Sequence, residues 1–69
     1  MNKGGKEMYI EISGYIIDIF KVSYVGKIFN AEGFYYFSII IDGLQITFDY
    51  KTTEEANVER EKIVKELRR

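Results

Sequence analysis

The sequence predicts an α+β domain, in which an antiparallel meander of four to five strands is followed by one C-terminal helix packed on the sheet. Three observations predict this fold class. Apolar and polar residues alternate in several segments, a dipeptide typical of hairpin turns stands at Asp42-Gly43, and a helix-capping signal begins at Thr52. We expect a single domain over residues 7–69, preceded by a polar, glycine-containing tail, residues 1–6, that is disordered.

The first elements are short. Residues 8–12 alternate between apolar and polar side chains, which is typical of a strand with one buried face. Ser13-Gly14 predicts a tight turn, and residues 15–17 predict a short return strand. Residues 18–21 then predict a corner, where one apolar side chain closes an end of the core. The candidates for that side chain are Ile19 and Phe20.

The next strand is predicted over residues 22–29, and its register depends on the loop that follows. A four-residue loop over residues 30–33 puts Val22, Tyr24, Gly26 and Ile28 on the core face. A three-residue loop with a bulge at Gly33 would instead turn Ser23, Val25, Lys27 and Phe29 inward. We prefer the first alternative because it buries no charge.

The last two strands are predicted over residues 34–41 and 44–50. A two-residue turn at Asp42-Gly43 fixes how the two strands align. In this register four cross-strand pairs of large side chains share the core face. The pairs are Ile41 with Leu44, Ile39 with Ile46, Phe37 with Phe48 and Tyr35 with Tyr50. The opposite face then carries Phe34, Tyr36, Ser38 and Ile40.

The C-terminal segment predicts a helix. Thr52 is a good N-cap, and Glu55 three residues later completes a capping box. Ala56, Ile63 and Leu67 form an apolar stripe at helical spacing. Val64 and the stem of Arg60 border this stripe, while Val58 points away from it. The stripe is narrow, so the helix can cover only part of one sheet face.

The composition excludes most catalytic and metal-binding classes. The chain has no cysteine and no histidine, which removes disulfides, thiolate metal sites, the commonest zinc ligand and the commonest neutral-pH proton shuttle. No pair of carboxylates has the spacing of a known motif, so we expect no enzyme activity, no catalytic or metal-binding residue, no cofactor and no small-molecule substrate. The net charge of −1 also argues against a nucleic-acid partner.

The sequence also predicts where the protein is located. No apolar run approaches the roughly 18 residues that a spanning helix requires. The first residues are too polar and too short for a signal peptide. We therefore expect a cytoplasmic protein that does not contact membranes.

Aromatic residues make up 16% of the chain, and they suggest a binding surface. One helix stripe cannot cover all the apolar surface, so we expect a protein–protein interaction module that forms a homodimer or binds a protein target through apolar sheet surface or a strand edge. The candidate interface residues are Phe34, Tyr36, Ile40 and Val25. Two alternatives are a small inhibitor of phage or mobile-element origin that binds a host protein, and single-stranded nucleic-acid binding by the aromatic sheet face.

Three short segments carry a resemblance that covers most of the chain. They are Ile12-Ser13-Gly14-Tyr15, Ile41-Asp42-Gly43-Leu44 and Thr52-Thr53-Glu54-Glu55-Ala56. With these segments in the order strand, turn, hairpin and helix, the chain resembles small uncharacterised bacterial and phage proteins. Those proteins have a β-meander and one C-terminal helix, a reduced pleckstrin-homology-like fold. It is more weakly similar to FlbD-type flagellar proteins. The resemblance implies a fold and transfers no functional residue.

Overall fold

The computed structural model describes residues 8–68 and confirms the α+β fold class, with one C-terminal helix packed on antiparallel strands. A 3₁₀ helix, Ile19–Lys21, connects a two-stranded hairpin to a four-stranded sheet. The predicted disordered tail, residues 1–6, lies outside the described residues. In chain order the elements are β1 (Tyr9–Ile12), β2 (Tyr15–Asp18), β3 (Val22–Val25), β4 (Phe29–Ala31), β5 (Phe34–Ile41), β6 (Leu44–Tyr50) and α1 (Thr53–Leu67).

Three hairpin turns have the same backbone geometry. Each has two residues with positive φ, the second being a glycine: Ser13-Gly14 (50° and 84°), Glu32-Gly33 (54° and 82°) and Asp42-Gly43 (52° and 80°). This pair of left-handed residues gives a turn whose twist matches that of the flanking strands. The turns predicted at Ser13-Gly14 and Asp42-Gly43 are confirmed.

The predicted register of β5 and β6 is also confirmed. Tyr35 lies opposite Tyr50, Phe37 opposite Phe48, Ile39 opposite Ile46 and Ile41 opposite Leu44. The middle of this set is buried, so we call this side of the sheet the core face and the other side the outer face. Because side chains alternate along a strand, this register fixes which residues of β5 remain on the outer face.

The single strand predicted over residues 22–29 is wrong, and so is the preferred four-residue loop. The segment is divided into β3 and β4, which pair with opposite halves of the same edge of β5. The second half, β4, continues to Ala31 and ends in the two-residue turn Glu32-Gly33. The Asn30 side-chain amide donates a hydrogen bond to the Phe34 carbonyl at 3.1 Å and so spans this turn.

The register shifts within β3. Val22 lies opposite Ile41, but Tyr24 lies opposite Ile40 and Val25 opposite Ile39. Tyr24 therefore points to the outer face and Val25 packs against the core, which reverses the predicted orientation of both residues. The predicted core positions of Val22 and Ile28 hold, since both pack in or against the buried cluster.

The break between β3 and β4 has its own hydrogen bonds. The Gly26 amide donates to the Ser38 carbonyl at 2.8 Å, and the Gly26 carbonyl accepts from Arg60 Nε at 2.8 Å. A Cβ at position 26 would lie 3.3 Å from the Tyr24 ring, so glycine suits this close approach. The helix thus helps to hold the interrupted strand in place through Arg60.

The helix and the β1–β2 hairpin together cover the core face. Ile19 is the side chain that closes the predicted corner, whereas Phe20 is 63% exposed. The Asp18 carboxylate accepts from the Phe20 amide at 3.0 Å and caps this turn. The buried cluster consists of Ile12, Ile17, Ile19, Val22, Phe37, Ile39, Phe48 and Ile63.

The helix begins as predicted. The Thr52 hydroxyl accepts a hydrogen bond from the Glu55 amide at 3.1 Å. Ala56 and Ile63 are buried against the sheet, while Leu67, at the end of the predicted stripe, remains partly open to solvent. No helix among residues 8–68 is long and apolar enough to cross a membrane.

Candidate functional site

The outer face of the four-stranded sheet has no helix or hairpin packed on it within the described part of the chain. Ala56 and Ile63 of α1 and the buried residues of the β1–β2 hairpin all lie with Phe37 and Phe48 on the core face. The outer face therefore remains open, and its side chains contact one another and solvent. It is the candidate functional surface.

Three aromatic rings pack together at one end of this face. Phe29 lies directly opposite Tyr36, and their rings are stacked with centroids 5.3 Å apart at an interplanar angle of 19°. Phe34 is tilted against the same Tyr36 ring, with centroids 6.4 Å apart. Phe29 is 51% exposed and Phe34 is 38% exposed, whereas Tyr36 is half-buried between them. The three rings form one apolar surface held by strand pairing.

Two further residues extend this surface along the sheet. Tyr24 is 54% exposed and lies opposite Ile40, which is half-buried. The Tyr24 ring leans over Gly26, where the absence of a side chain leaves room for it. We call the combined surface of Tyr24, Phe29, Phe34, Tyr36 and Ile40 the outer patch.

The β6 side of the outer face is polar. The hydroxyls of Ser38 and Thr47 are 2.8 Å apart, and the Gln45 side-chain amide donates to Ser38 Oγ at 3.4 Å. Asp49 occupies the next outward position of β6. The outer patch is therefore confined to β3, β4 and β5 and is bordered by a hydrogen-bonded polar strip.

The structure brings together three of the four predicted interface residues. Phe34, Tyr36 and Ile40 alternate along β5 on the outer face, as their period of two predicts. Val25 does not join them, because the register shift in β3 turns it towards the core. Phe29 lies outward because β4 pairs directly through the Glu32-Gly33 turn, and Tyr24 lies outward because of the register shift in β3.

Some acidic side chains of residues 8–68 have local structural contacts. No group of three or more acidic side chains there could hold a metal ion. Asp18 caps the 3₁₀ helix, and Asp42 belongs to a turn and lies 3.9 Å from Lys21 Nζ. The outer patch offers apolar surface from which a partner would exclude water.

An open cleft of about 750 Å³ lies between the start of α1 and the ends of β5 and β6, with Phe34 at its border. The Ser13 hydroxyl donates to the Tyr50 phenol oxygen at 2.7 Å, which links the β1–β2 turn to the sheet. Burial raises the pKa of Tyr50 above its ordinary value of 10.0; the bond from Ser13 opposes this shift, and the negative charges of Glu59 and Asp49 add to it. The cleft is thus a structural junction with an acidic rim.

Tyr50→Phe is expected to change the alkaline limit of stability. A raised pKa means that the folded state keeps the Tyr50 proton when the unfolded state has lost it, so stability is full below pH 10.0 and falls as the pH rises above it. The variant should lose about 1 kcal/mol at neutral pH, with the Ser13 bond, but should lose less than the wild type on alkalinisation. Urea denaturation at neutral and alkaline pH measures both values. Parallel losses in the two proteins would contradict this role of Tyr50.

Comparisons with known proteins assign no family to the chain. No family model, curated protein or solved structure matches it. The resemblance to reduced pleckstrin-homology-like folds stays a prediction.

Proposed function

We propose that this chain is a non-enzymatic protein–protein interaction module that self-associates through the outer patch. The observation that carries the proposal is a sheet whose core face is covered by the helix and the β1–β2 hairpin while its outer face exposes packed aromatic rings. Contact with water is unfavourable for such a surface, and its free energy falls when a second apolar surface covers it.

The aromatic rings of the outer patch supply the driving force. Fully burying a phenylalanine side chain stabilises a contact by about 1.5–3 kcal/mol, so a ring such as Phe29, which is 51% exposed, would contribute about half of that. The stacking of Phe29 on Tyr36 also restricts both rings before contact, which lowers the conformational entropy lost on association. Aromatic residues fixed in this way are typical of binding hot spots.

A second copy of the chain fits this patch electrostatically. None of the five residues of the outer patch is charged, and Asp49, opposite Tyr36, is the carboxylate at its border. The net charge of −1 adds little long-range repulsion between copies. The tyrosine hydroxyls of Tyr24 and Tyr36 can keep a hydrogen-bond partner or water at the rim while their rings are covered.

The double variant Tyr36→Asp, Ile40→Asp tests the proposal. Two carboxylates in the middle of the patch would have to be desolvated on contact, so association through this surface should be abolished. A two-fold contact doubles the mass of the species that it joins, so its loss should halve that mass. We therefore expect light scattering at micromolar concentration to show about half the wild-type mass.

The matched control is Asn57→Asp, Val58→Asp, which adds two carboxylates on the exposed side of α1. It should keep the wild-type mass. Circular dichroism checks that both proteins remain folded. An unchanged mass in the folded patch variant would remove the outer patch from the account.

A further inference from the structure

The outer edge of β6 is unpaired in residues 8–68. On its inner side β6 pairs with β5 along its whole length. In a hairpin closed by the two-residue turn Asp42-Gly43, the residues that exchange hydrogen bonds with β5 are 44, 46, 48 and 50. The backbone N–H and C=O groups of the residues between them therefore point to the free edge; these residues are Gln45, Thr47 and Asp49, and all three are exposed.

This edge lacks the features by which proteins usually prevent edge pairing. Its seven residues contain no proline and only one charge, and the register with β5 has no bulge. The opposite edge of the sheet is different, because it is broken into β3 and β4 and the Gly26 carbonyl at the break is occupied by Arg60. Of the two edges, β6 is the one that can accept another strand along a continuous ladder.

We infer that β6 pairs with β6 of a second copy, antiparallel about a two-fold axis at Thr47, and so joins two four-stranded sheets into one. This register aligns all of β6, and residues 45, 47 and 49 form its hydrogen-bonded pairs. Shifting it in either direction shortens the ladder.

The side chains of β6 are self-complementary in this register. Gln45 lies opposite Asp49 of the partner subunit, and the symmetry repeats this pair, so each carboxylate meets an amide donor rather than another carboxylate. On the core face Ile46 lies opposite Phe48 of the partner subunit, which extends the apolar layer across the junction. A register centred on Asp49 would instead oppose the two carboxylates, and like charges directly opposite destabilise a strand pair.

The edge contact is separate from the proposed contact at the outer patch. The patch lies on β3, β4 and β5, whereas the edge belongs to β6 on the far side of β5. A two-fold axis perpendicular to the sheet places both outer patches on the same side of the joined sheet. Edge pairing therefore lies beyond the proposed function. A variant that blocks the patch leaves the backbone N–H and C=O groups of the free edge available, although positions 36 and 40 lie opposite Asp49 and Gln45 in the same hairpin.

The experiment uses the Tyr36→Asp, Ile40→Asp protein, whose remaining association is expected to be through β6. Adding Thr47→Pro removes the N–H group at the two-fold axis, but not a hydrogen bond to β5, because that group points to the free edge. We expect the mass to change from two chains to one in sedimentation equilibrium. Thr47→Val, which loses the bond to Ser38 but keeps the N–H group, should remain at two chains. A folded Thr47→Pro protein that stays at two chains would overturn the inference.

Hydrogen exchange of the wild-type protein gives a readout that does not depend on any substitution. The amides of Gln45, Thr47 and Asp49 should become protected as concentration rises, whereas those of residues 46 and 48 are protected throughout by β5. Rapid exchange of the three amides under associating conditions would overturn the edge contact and leave the outer patch untouched. Conversely, a patch variant with the wild-type mass would overturn the proposed function. The exchange of these three amides would still show whether β6 pairs with a second copy.

Two substitutions of Gln45 test the register. Gln45→Glu would place two carboxylate pairs across the junction and should weaken association by roughly tenfold, given the usual size of such pair effects. Gln45→Lys would instead face Asp49 of the partner subunit and should strengthen association, with a dependence on salt. Equal affinities for the two variants would exclude this register.

Discussion

Phe37→Ala is expected to unfold the domain. Phe37 is completely buried; its ring stacks on Tyr50 with centroids 5.8 Å apart and packs against Phe48 at 5.3 Å. Truncation of a buried phenylalanine typically costs 3–5 kcal/mol, and a core of this size rarely supplies more than about 3–5 kcal/mol in total. Loss of the cooperative transition in thermal or urea denaturation, followed by circular dichroism, measures the effect.

The matched control is Phe29→Ala, which removes the same side chain from the outer face. Phe29 is 51% exposed, so its truncation should cost about 1 kcal/mol and leave the protein folded. It should weaken self-association instead, because Phe29 belongs to the outer patch. If the thermal or urea midpoint of Phe37→Ala were close to that of the wild type, the core would not be centred on Phe37 and the rings packed against it.

Two elements could be predicted from the sequence because their signals are local and agree. The Asp42-Gly43 turn and the period of two in the flanking segments specify the same register, and the structure has it. The N-cap at Thr52 and the helical spacing of Ala56 and Ile63 likewise identify both the start of α1 and its buried side. Each of these signals lies within about ten residues of the feature it predicts.

The division of the predicted strand over residues 22–29 could not be predicted in the same way. Glutamate has no particular preference for positive φ, so Glu32-Gly33 does not stand out as a two-residue turn in the way that Asp42-Gly43 does. The break at Gly26 is held by Arg60, which lies 34 residues further along the chain. A local pattern contains no information about such a partner.

The candidate site shows the same division between local and distant information. Phe34, Tyr36 and Ile40 follow from the alternation of β5 alone, and their placement on one face could be predicted. Val25 and Tyr24 depend on the register shift in β3, and a shift of one residue turns each side chain to the other face. The β1–β2 hairpin shares the core face with α1, and so no element of residues 8–68 covers the opposite face.

Ile63→Asp is expected to have a comparable effect on the other side of the core. Ile63 is completely buried and belongs to the same cluster as Phe37 and Ile39. The variant loses the 2–5 kcal/mol typical of a truncated core isoleucine and must also desolvate a carboxylate without a cationic partner in that cluster. Circular dichroism should show loss of the near-ultraviolet signal of packed tyrosines together with loss of the helical signal near 222 nm, because helix and sheet share one core.

Val58→Asp places the same residue on the opposite side of the same helix, where Val58 is 60% exposed. It should cost less than about 1 kcal/mol, from helix propensity alone, and keep both spectroscopic signals. The pair of variants therefore separates burial from helix formation. If Ile63→Asp lost the helical signal but kept the near-ultraviolet signal, the sheet and the β1–β2 hairpin would form a core without α1, and the stability of the fold would not depend on the helix.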